Sequence, residues 1–150
     1  KWTQIMETYE GGAHAYHATM PTDALRHFRD ALVEAEAFGL EALKEAQIRL
    51  GREVRELMDS YQYKSVAATG FEAPSVVVCF APNADIKTGK AFAAQGLQIA
   101  AGVPLECGER EDYASFRIGL FGMDKLTDID RTVAHLETAL EGIRGQNAPA

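Results

Sequence analysis

The features that define several specialised classes of protein are scarce in this sequence. Its 150 residues include only two cysteines, Cys79 and Cys107, which are too few for a disulfide framework or a thiolate zinc site. Acidic residues outnumber basic ones by 22 to 15, and the net charge of −7 argues against nucleic acid or an anionic membrane as a partner. No apolar run approaches the roughly 20 residues that a membrane-crossing helix needs.

The composition that remains is typical of a globular domain. Hydrophobic residues make up 47% of the chain and charged residues 25%, a balance that excludes general disorder. A chain of this length buries enough surface to hold a core without disulfides or metals. The few cysteines favour a reducing, cytoplasmic compartment.

Helical periodicity occupies the first sixty residues and the end of the chain. Apolar residues at steps of three and four predict a short helix before Gly11, and two helices, or one bent at Gly39, over residues 22–61. A last helix, which we expect Thr127 to cap, has a regular apolar spacing at Ile129, Val133, Leu136, Leu140 and Ile143.

Strand patterns lie between these helices. The β-branched run at residues 75–81, bounded by two prolines, predicts a strand. We also expect strands at residues 61–67, 97–101 and 115–120, and a helix at residues 85–95. Short connections between strands favour a small, mostly antiparallel sheet covered on one face by helices, which is an α+β fold.

Arg117 is the residue in these strands with the clearest chemical potential. Alternate side chains of a strand face opposite sides, so its apolar neighbours would face the core while Arg117 and Gly119 face away from it. Since glycine leaves space beside the guanidinium, Arg117 could hold a carboxylate through two parallel hydrogen bonds. A surface ion pair with Glu109 or Asp112 would explain the same arginine.

A second group of polar side chains precedes the helix that begins near residue 22. Tyr16 and Thr19 could both donate to a phosphate, assisted by N–H groups at the helix start. Alternatively, Thr19 or Thr22 is simply the helix cap and Tyr16 packs with its hydroxyl in water. His14 and His17 lack further ligands at a persuasive spacing, so we predict no metal site.

We assign no chemical role to the two cysteines or to the Gly-Lys pair at residues 89–90. Cys79 lies in the apolar run and is interpreted as a core residue. Cys107 lies in a polar loop among acids, which makes it a poor nucleophile. Gly89 and Lys90 lack the remainder of a phosphate-loop pattern.

Three segments in the same order resemble a known family. They are residues 16–21 (Tyr-His-Ala-Thr-Met-Pro), 39–41 (Gly-Leu-Glu) and 116–122 (Phe-Arg-Ile-Gly-Leu-Phe-Gly). Together they resemble the class V aminotransferases that use pyridoxal phosphate, in the alanine–glyoxylate and serine–glyoxylate (serine–pyruvate) branch. The resemblance runs from about residue 13 to 144 and implies the small C-terminal domain of a fold-type I enzyme.

The resemblance implies a role for each matching residue. Arg117 would bind the α-carboxylate of the amino or keto acid substrate, and Tyr16 and Thr19 would reach the cofactor phosphate of the neighbouring subunit. The parent enzyme would be a homodimer that passes an amino group from alanine or serine to glyoxylate or pyruvate. Residues 1–21 would be a connector from a large N-terminal domain, residues 22–145 the small domain, and residues 146–150 a frayed tail.

The chain also departs from the family pattern. Where the family usually has a Gly-Gly pair before the arginine strand, residues 100–102 read Ala-Ala-Gly. The lysine that binds the cofactor covalently lies in the family's large domain, and Lys1 is too close to Tyr16 to match it. We therefore expect no catalytic residue in this chain, which alone would be inactive and would not retain pyridoxal phosphate.

Two other interpretations of the sequence stay open. The chain could be a free-standing, non-catalytic α+β module that binds a ligand or regulates a partner. It could also have only a role in assembly, through apolar surface that a partner covers.

Overall fold

The computed structural model describes residues 1–15 and 18–146. Tyr16, His17 and most of the predicted C-terminal tail lie outside the described residues. The described elements are α1 (Trp2–Glu10), α2 (Thr22–Phe38), α3 (Leu40–Ser60), β1 (Val76–Phe80), α4 (Ala84–Lys87), α5 (Lys90–Ala93), β2 (Ala100–Ala101), β3 (Ser115–Gly119), α6 (Met123–Leu126) and α7 (Ile129–Gln146). The chain divides into two units, Lys1–Ala37 and Phe38–Ala150.

Unit 1 contains α1 and nearly all of α2. The predicted short helix is confirmed as α1, which ends where Gly11 N–H donates to Glu7 O at 3.0 Å and Gly12 adopts a positive φ of 79°. No described residue of unit 1 is buried. The exposed apolar side chains of α2 are Leu25, Phe28, Leu32 and Val33.

Gly39 separates α2 from α3. Its φ of 99° lies in a region that L side chains rarely adopt, so the periodic stretch forms two helices and not one bent helix. The α3 helix then runs from Leu40 to Ser60 and buries Leu50, Val54 and Met58 along one face. The rest of unit 2 is built on that face.

A three-stranded antiparallel sheet with the order β1-β3-β2 lies at the centre of unit 2. In its register Val77 pairs with Ile118, and Cys79 pairs with Phe116. These four side chains share the face that is packed against helices, because residues opposite each other point to the same side. The predicted α+β fold with a small antiparallel sheet is confirmed.

The core lies between this face and the helices. Phe116 contacts the ring of Tyr63 edge-on at a centroid distance of 5.5 Å, and the Phe92 ring at 5.5 Å in a tilted arrangement. The α3 and α7 helices pack against each other. The largest fully buried side chains are Phe92, Phe116, Leu50, Met58, Ile86, Leu140, Val54, Val77 and Cys79.

The strand predicted at residues 61–67 is wrong. The α3 helix continues to Ser60, and Gln62 then adopts a positive φ of 67°, which interrupts extended backbone. Only Ser65 forms an isolated bridge, to Cys79, while Val66 N–H donates to Val78 O at 2.9 Å. The segment therefore covers the edge of β1 that β3 leaves free.

The helix predicted at residues 85–95 is two short helices. Asn83 caps α4 by accepting from Ile86 N–H at 2.9 Å, and Gly89 at a φ of 78° separates α4 from α5. The predicted strand at 97–101 shortens to β2. The short α6 was missed, because four residues carry no period.

The predicted cap of the last helix is wrong by one residue. Thr127 closes α6, where its hydroxyl donates to Met123 O at 2.8 Å. Asp128 caps α7 instead, since its Oδ1 accepts from Arg131 N–H at 3.1 Å. A carboxylate is also favoured there by the helix dipole.

The turn before β1 is fastened to α3. Arg55 donates from one terminal nitrogen to Ala73 O at 2.7 Å and to Val76 O at 3.0 Å. Gln47 donates to Pro74 O at 3.0 Å, and Gly51 lies directly against Pro74. Burial lowers the pKa of the Arg55 guanidinium, so its contacts with backbone carbonyls offset a cost of desolvation.

Candidate functional site

Arg117 lies in the middle of β3, the central strand, on the face away from the helices. Phe116, Ile118 and Leu120 are buried, as their alternation predicts, while Arg117 is half-buried. The register places Val78 of β1 and Ala100 of β2 on either side of it. Both neighbours are short and uncharged, so the surroundings of the guanidinium on the sheet are apolar.

Among the described residues, the guanidinium of Arg117 is held by one hydrogen bond. Its Nε donates to Ala101 O at 2.9 Å, which directs the group over the edge strand. Within residues 1–15 and 18–146, no carboxylate lies within 4.0 Å of it, and its terminal nitrogens have no hydrogen-bond partner. Because a guanidinium presents its donors in a planar fork, those nitrogens can hold a carboxylate.

The ion pairs that would explain Arg117 as a surface residue are absent from the described part of the chain. Asp112 pairs with Arg110, whose Nε lies 2.9 Å from Oδ1. Glu109 binds backbone N–H groups of its own loop. Neither acid predicted as a partner of Arg117 therefore neutralises it.

The space beside Gly119 is less open than we predict from the sequence. A Cβ atom at Gly119 would lie 3.3 Å from two ring carbons of Phe121. The ring is 60% exposed and lies over the strand where an empty surface was expected. It gives the face around Arg117 an apolar margin.

Glu109 orders the loop before β3. The sequence did not predict this role. Its Oε1 accepts from Leu105 N–H at 2.6 Å and from Glu106 N–H at 2.9 Å, and its Oε2 accepts from Cys107 N–H at 3.0 Å. These backbone donors, Glu106 first, lower the pKa of Glu109 from 4.5 to about 2. Glu106 and Gly108 both adopt a positive φ in this loop, 55° and 89°, and of the two only the glycine could have indicated a tight turn from the sequence.

The remaining predicted site residues lie in unit 1 or outside the described residues. Thr19 is exposed in the segment between α1 and α2. Tyr16, its predicted companion, is among the residues that the structure does not describe. Their assignment to a phosphate site stays a prediction.

No metal cluster is found in the described residues, and most of the lysines there are paired with acids. No group of three or more His, Cys, Asp or Glu side chains converges in residues 1–15 and 18–146. Four lysines there form ion pairs with nearby acids at the surface, namely Lys44, Lys64, Lys90 and Lys125.

The two cysteines lie where the sequence predicts, Cys79 in the core and Cys107 in an exposed loop. Cys79 is buried, and burial raises the pKa of its thiol from 9.0 to about 11, which keeps it protonated and inert. Cys107 is exposed. In the same described ranges, no helix has the length and apolar character required to cross a membrane.

The fold defined by these elements is similar to part of an aminotransferase of known structure. In particular, the chain is similar to the crystal structure of an alanine–glyoxylate aminotransferase from Nostoc sp., with a TM-score of 0.66 and 18% sequence identity. The match covers 92% of this chain and 36% of that one, so the chain spans about a third of the neighbour's length. No protein-family model and no curated protein sequence matches the chain.

Proposed function

We propose that this chain is the C-terminal domain of a pyridoxal-phosphate-dependent class V aminotransferase. The whole enzyme transfers an amino group from alanine or serine to glyoxylate or pyruvate, and this domain supplies the arginine that binds the substrate carboxylate. The single observation that carries the proposal is Arg117, whose terminal nitrogens meet no acid in the described residues. The likeness in fold to the Nostoc sp. protein supports it.

Arg117 suits a carboxylate for a physical reason. It extends from the central strand of a sheet, and its Nε is fixed by Ala101 O at 2.9 Å. A guanidinium that is already oriented loses little freedom when it forms two parallel hydrogen bonds with a carboxylate. The two flanking residues, Val78 and Ala100, are uncharged, so they do not compete for its donors.

The cofactor's chemistry depends on groups from outside this chain. Pyridoxal phosphate, when bound, supplies the electron sink for reaction at the amino carbon. In the proposal, Thr19 and Tyr16 bind its phosphate in the partner subunit of a homodimer. A lysine of a large N-terminal domain binds the cofactor covalently, so the 150-residue chain alone is inactive.

Exposed apolar surface supports the presence of such a large domain or partner subunit. Phe28 is 62% exposed and Trp2 is 74% exposed, on helices that bury no residue. Large apolar side chains that are exposed in such numbers are expected where another protein surface covers them. In the proposal, this surface of unit 1 is covered in the complete cytoplasmic enzyme.

The proposal is tested on the full-length gene product. We expect its visible absorption spectrum to show bound pyridoxal phosphate, and we expect it to form pyruvate from L-alanine and glyoxylate. The 150-residue chain, expressed alone, is the matched control and should show neither the spectrum nor the activity.

Two results would contradict the proposal. A full-length product without cofactor absorption and without amino transfer would favour the non-catalytic ligand-binding module. Amino transfer by the 150-residue chain alone would show that the covalent lysine lies within it.

A further inference from the structure

Arg117 reaches the backbone of the neighbouring strand on its far side. Ala100 pairs with Arg117 in the register of β2 and β3. Two residues further along β2, Gly102 N–H donates to Ser115 O at 2.8 Å. Because the hydrogen-bonded pairs of an antiparallel ladder alternate, the N–H and C=O groups of Ala101 point away from β3, toward the free edge of β2. The Arg117 side chain therefore crosses the edge strand for its Nε to donate to Ala101 O at 2.9 Å.

The position of this carbonyl depends on how closely β2 approaches β3. The two strands come together at Gly102, where an added Cβ atom would lie 2.5 Å from Ser115 O and would also overlap Ser115 Oγ. Part of this obstacle is backbone, which cannot rotate away as the end of a flexible side chain can. A side chain at position 102 would therefore push the two strands apart.

The edge strand β2 is the one that would move. The central strand β3 is paired on its other side with all five residues of β1. By contrast, β2 consists only of Ala100 and Ala101, and both are exposed. Because few hydrogen bonds and contacts hold so short an edge strand, it yields before the central strand does. The Ala101 carbonyl would then move away from the Arg117 guanidinium.

Ala100 has a second influence on the same contact. It lies directly opposite Arg117, so the two side chains share the outer face of the sheet. The arginine side chain passes over β2 at this point on its way to Ala101 O. A larger side chain at position 100 would occupy that path.

We propose that Gly102 and Ala100 are positioning residues for Arg117. Gly102 lets β2 lie close to β3, and Ala100 leaves room for the arginine to cross, so that Ala101 O holds its Nε. The terminal nitrogens are then presented in a fixed direction, and less side-chain freedom is lost when they bind a carboxylate. The contact is a property of this chain, whereas its effect on amino transfer rests on the function proposed above.

The contact is measured by NMR on the 150-residue chain labelled with nitrogen-15. The Nε–H signal of Arg117, which Arg117→Ala identifies by its loss, reports the hydrogen bond to Ala101 O. We expect Gly102→Ala to accelerate exchange of this proton with water by roughly three- to tenfold, the scale of losing one hydrogen bond. Unchanged exchange in folded Gly102→Ala would overturn the proposal.

Gly51→Ala is the matched control, because it overpacks the fold at a different place. Its added Cβ atom meets Pro74 in the turn before β1 and does not meet β2. It should leave exchange of the Arg117 Nε–H unchanged, and circular dichroism verifies that each variant is folded. Equal acceleration in Gly51→Ala would contradict the proposal, since general loss of stability would then be the cause.

Ala100→Val gives the test a second variant in case Gly102→Ala does not fold. Position 100 is exposed, and valine is favoured in strands, so this substitution leaves the core unchanged. We expect it to accelerate exchange of the Arg117 Nε–H as well, by roughly the same three- to tenfold. Unchanged exchange would contradict the path over Ala100 and with it the proposal.

In the full-length gene product, both positions should act through Arg117. We expect Gly102→Ala and Ala100→Val each to lower kcat/KM for L-alanine with glyoxylate roughly three- to tenfold, chiefly by raising KM, because the carboxylate is held before and during the reaction. In the Arg117→Ala background, the same substitutions should change kcat/KM by less than about twofold.

The two proposals fail in different ways. Full additional losses in the Arg117→Ala background would overturn the positioning role and leave the carboxylate role of Arg117 intact. Absence of amino transfer in the full-length product would contradict the function proposed above, while the exchange measurement still decides whether Gly102 and Ala100 position the arginine.

Discussion

Arg117 and Arg110 show how much the neighbours of a residue determine its role. Both are arginines within one short stretch of chain, but Arg110 forms two hydrogen bonds with Asp112 in an exposed loop. Exposed pairs of this kind contribute little to stability and occupy the guanidinium. Within the part of the chain that the structure describes, Arg117 on the sheet has only a backbone carbonyl on its Nε, so its remaining donors suit a ligand.

Glu109 provides a prediction at the scale of one carboxyl group. Its folded pKa of about 2 is depressed below the ordinary 4.5 by backbone donors, so the charged form favours the ordered loop. This stabilisation is complete above pH 4.5 and is lost as the pH falls toward 2. We expect NMR to show the Glu109 carboxyl titrating with a midpoint near 2.

The matched variant for this prediction is Glu109→Gln. The amide signals of Leu105, Glu106 and Cys107 should lose the pH dependence that they show in the unchanged chain, because their acceptor no longer ionises. A Glu109 midpoint near 4.5 would show that the carboxylate is not bound by these donors in solution.

At the scale of elements, α3 lies so close to the turn before β1 that an added methyl group should destabilise the fold. A Cβ atom at Gly51 would lie 2.9 Å from Pro74 Cα, and the obstacle is backbone that cannot rotate away. We expect Gly51→Ala to lower the free energy of unfolding by roughly 1–3 kcal/mol, the usual cost of overpacking. Urea unfolding, monitored by circular dichroism, measures it.

Gly145→Ala is the control for this substitution. Gly145 also lies in a helix, α7, but nothing lies within 4 Å of the added Cβ. Because alanine favours helix more than glycine does, this variant should be neutral or more stable by up to about 1 kcal/mol. Equal destabilisation by both substitutions would show that the contact with Pro74 is not the cause.

The elements that the sequence predicted well are those with a strong pattern. The valine-rich run became β1, and the regular apolar spacing became α7, because each pattern repeats over several residues. Residues 61–67 contain apolar and aromatic residues too, but α3 continues into their vicinity and Gln62 turns the backbone. Short elements such as α6 depend on tertiary contacts that no local pattern records.

At the scale of the whole molecule, the sequence predicted the face of the sheet on which Arg117 lies but not the groups around it. The strand alternation was enough to place its side chain on the outer face. The contact with Ala101 joins residues 16 positions apart, and the Phe121 ring, although near in sequence, lies over Gly119 because of how the chain packs. Such arrangements depend on packing and could not be predicted from spacing.

The distribution of buried residues along the chain supports the proposal that it is part of a larger enzyme. Every buried hydrophobic residue of the described chain lies between Leu50 and Ile143, while the helices of unit 1 bury none. The chain also spans only 36% of its structural neighbour. In the proposal, the exposed apolar residues of unit 1 and the free donors of Arg117 meet other parts of a larger protein.

The central claim is that Arg117 binds the substrate carboxylate, and one measurement tests it most directly. It is kcat/KM of the full-length gene product for L-alanine with glyoxylate, before and after Arg117→Ala, with Arg110→Ala as the matched control. We expect Arg117→Ala to lower kcat/KM by roughly 30- to 1,000-fold, about 2–4 kcal/mol, and Arg110→Ala to leave it unchanged. Unchanged kinetics in Arg117→Ala would contradict the claim.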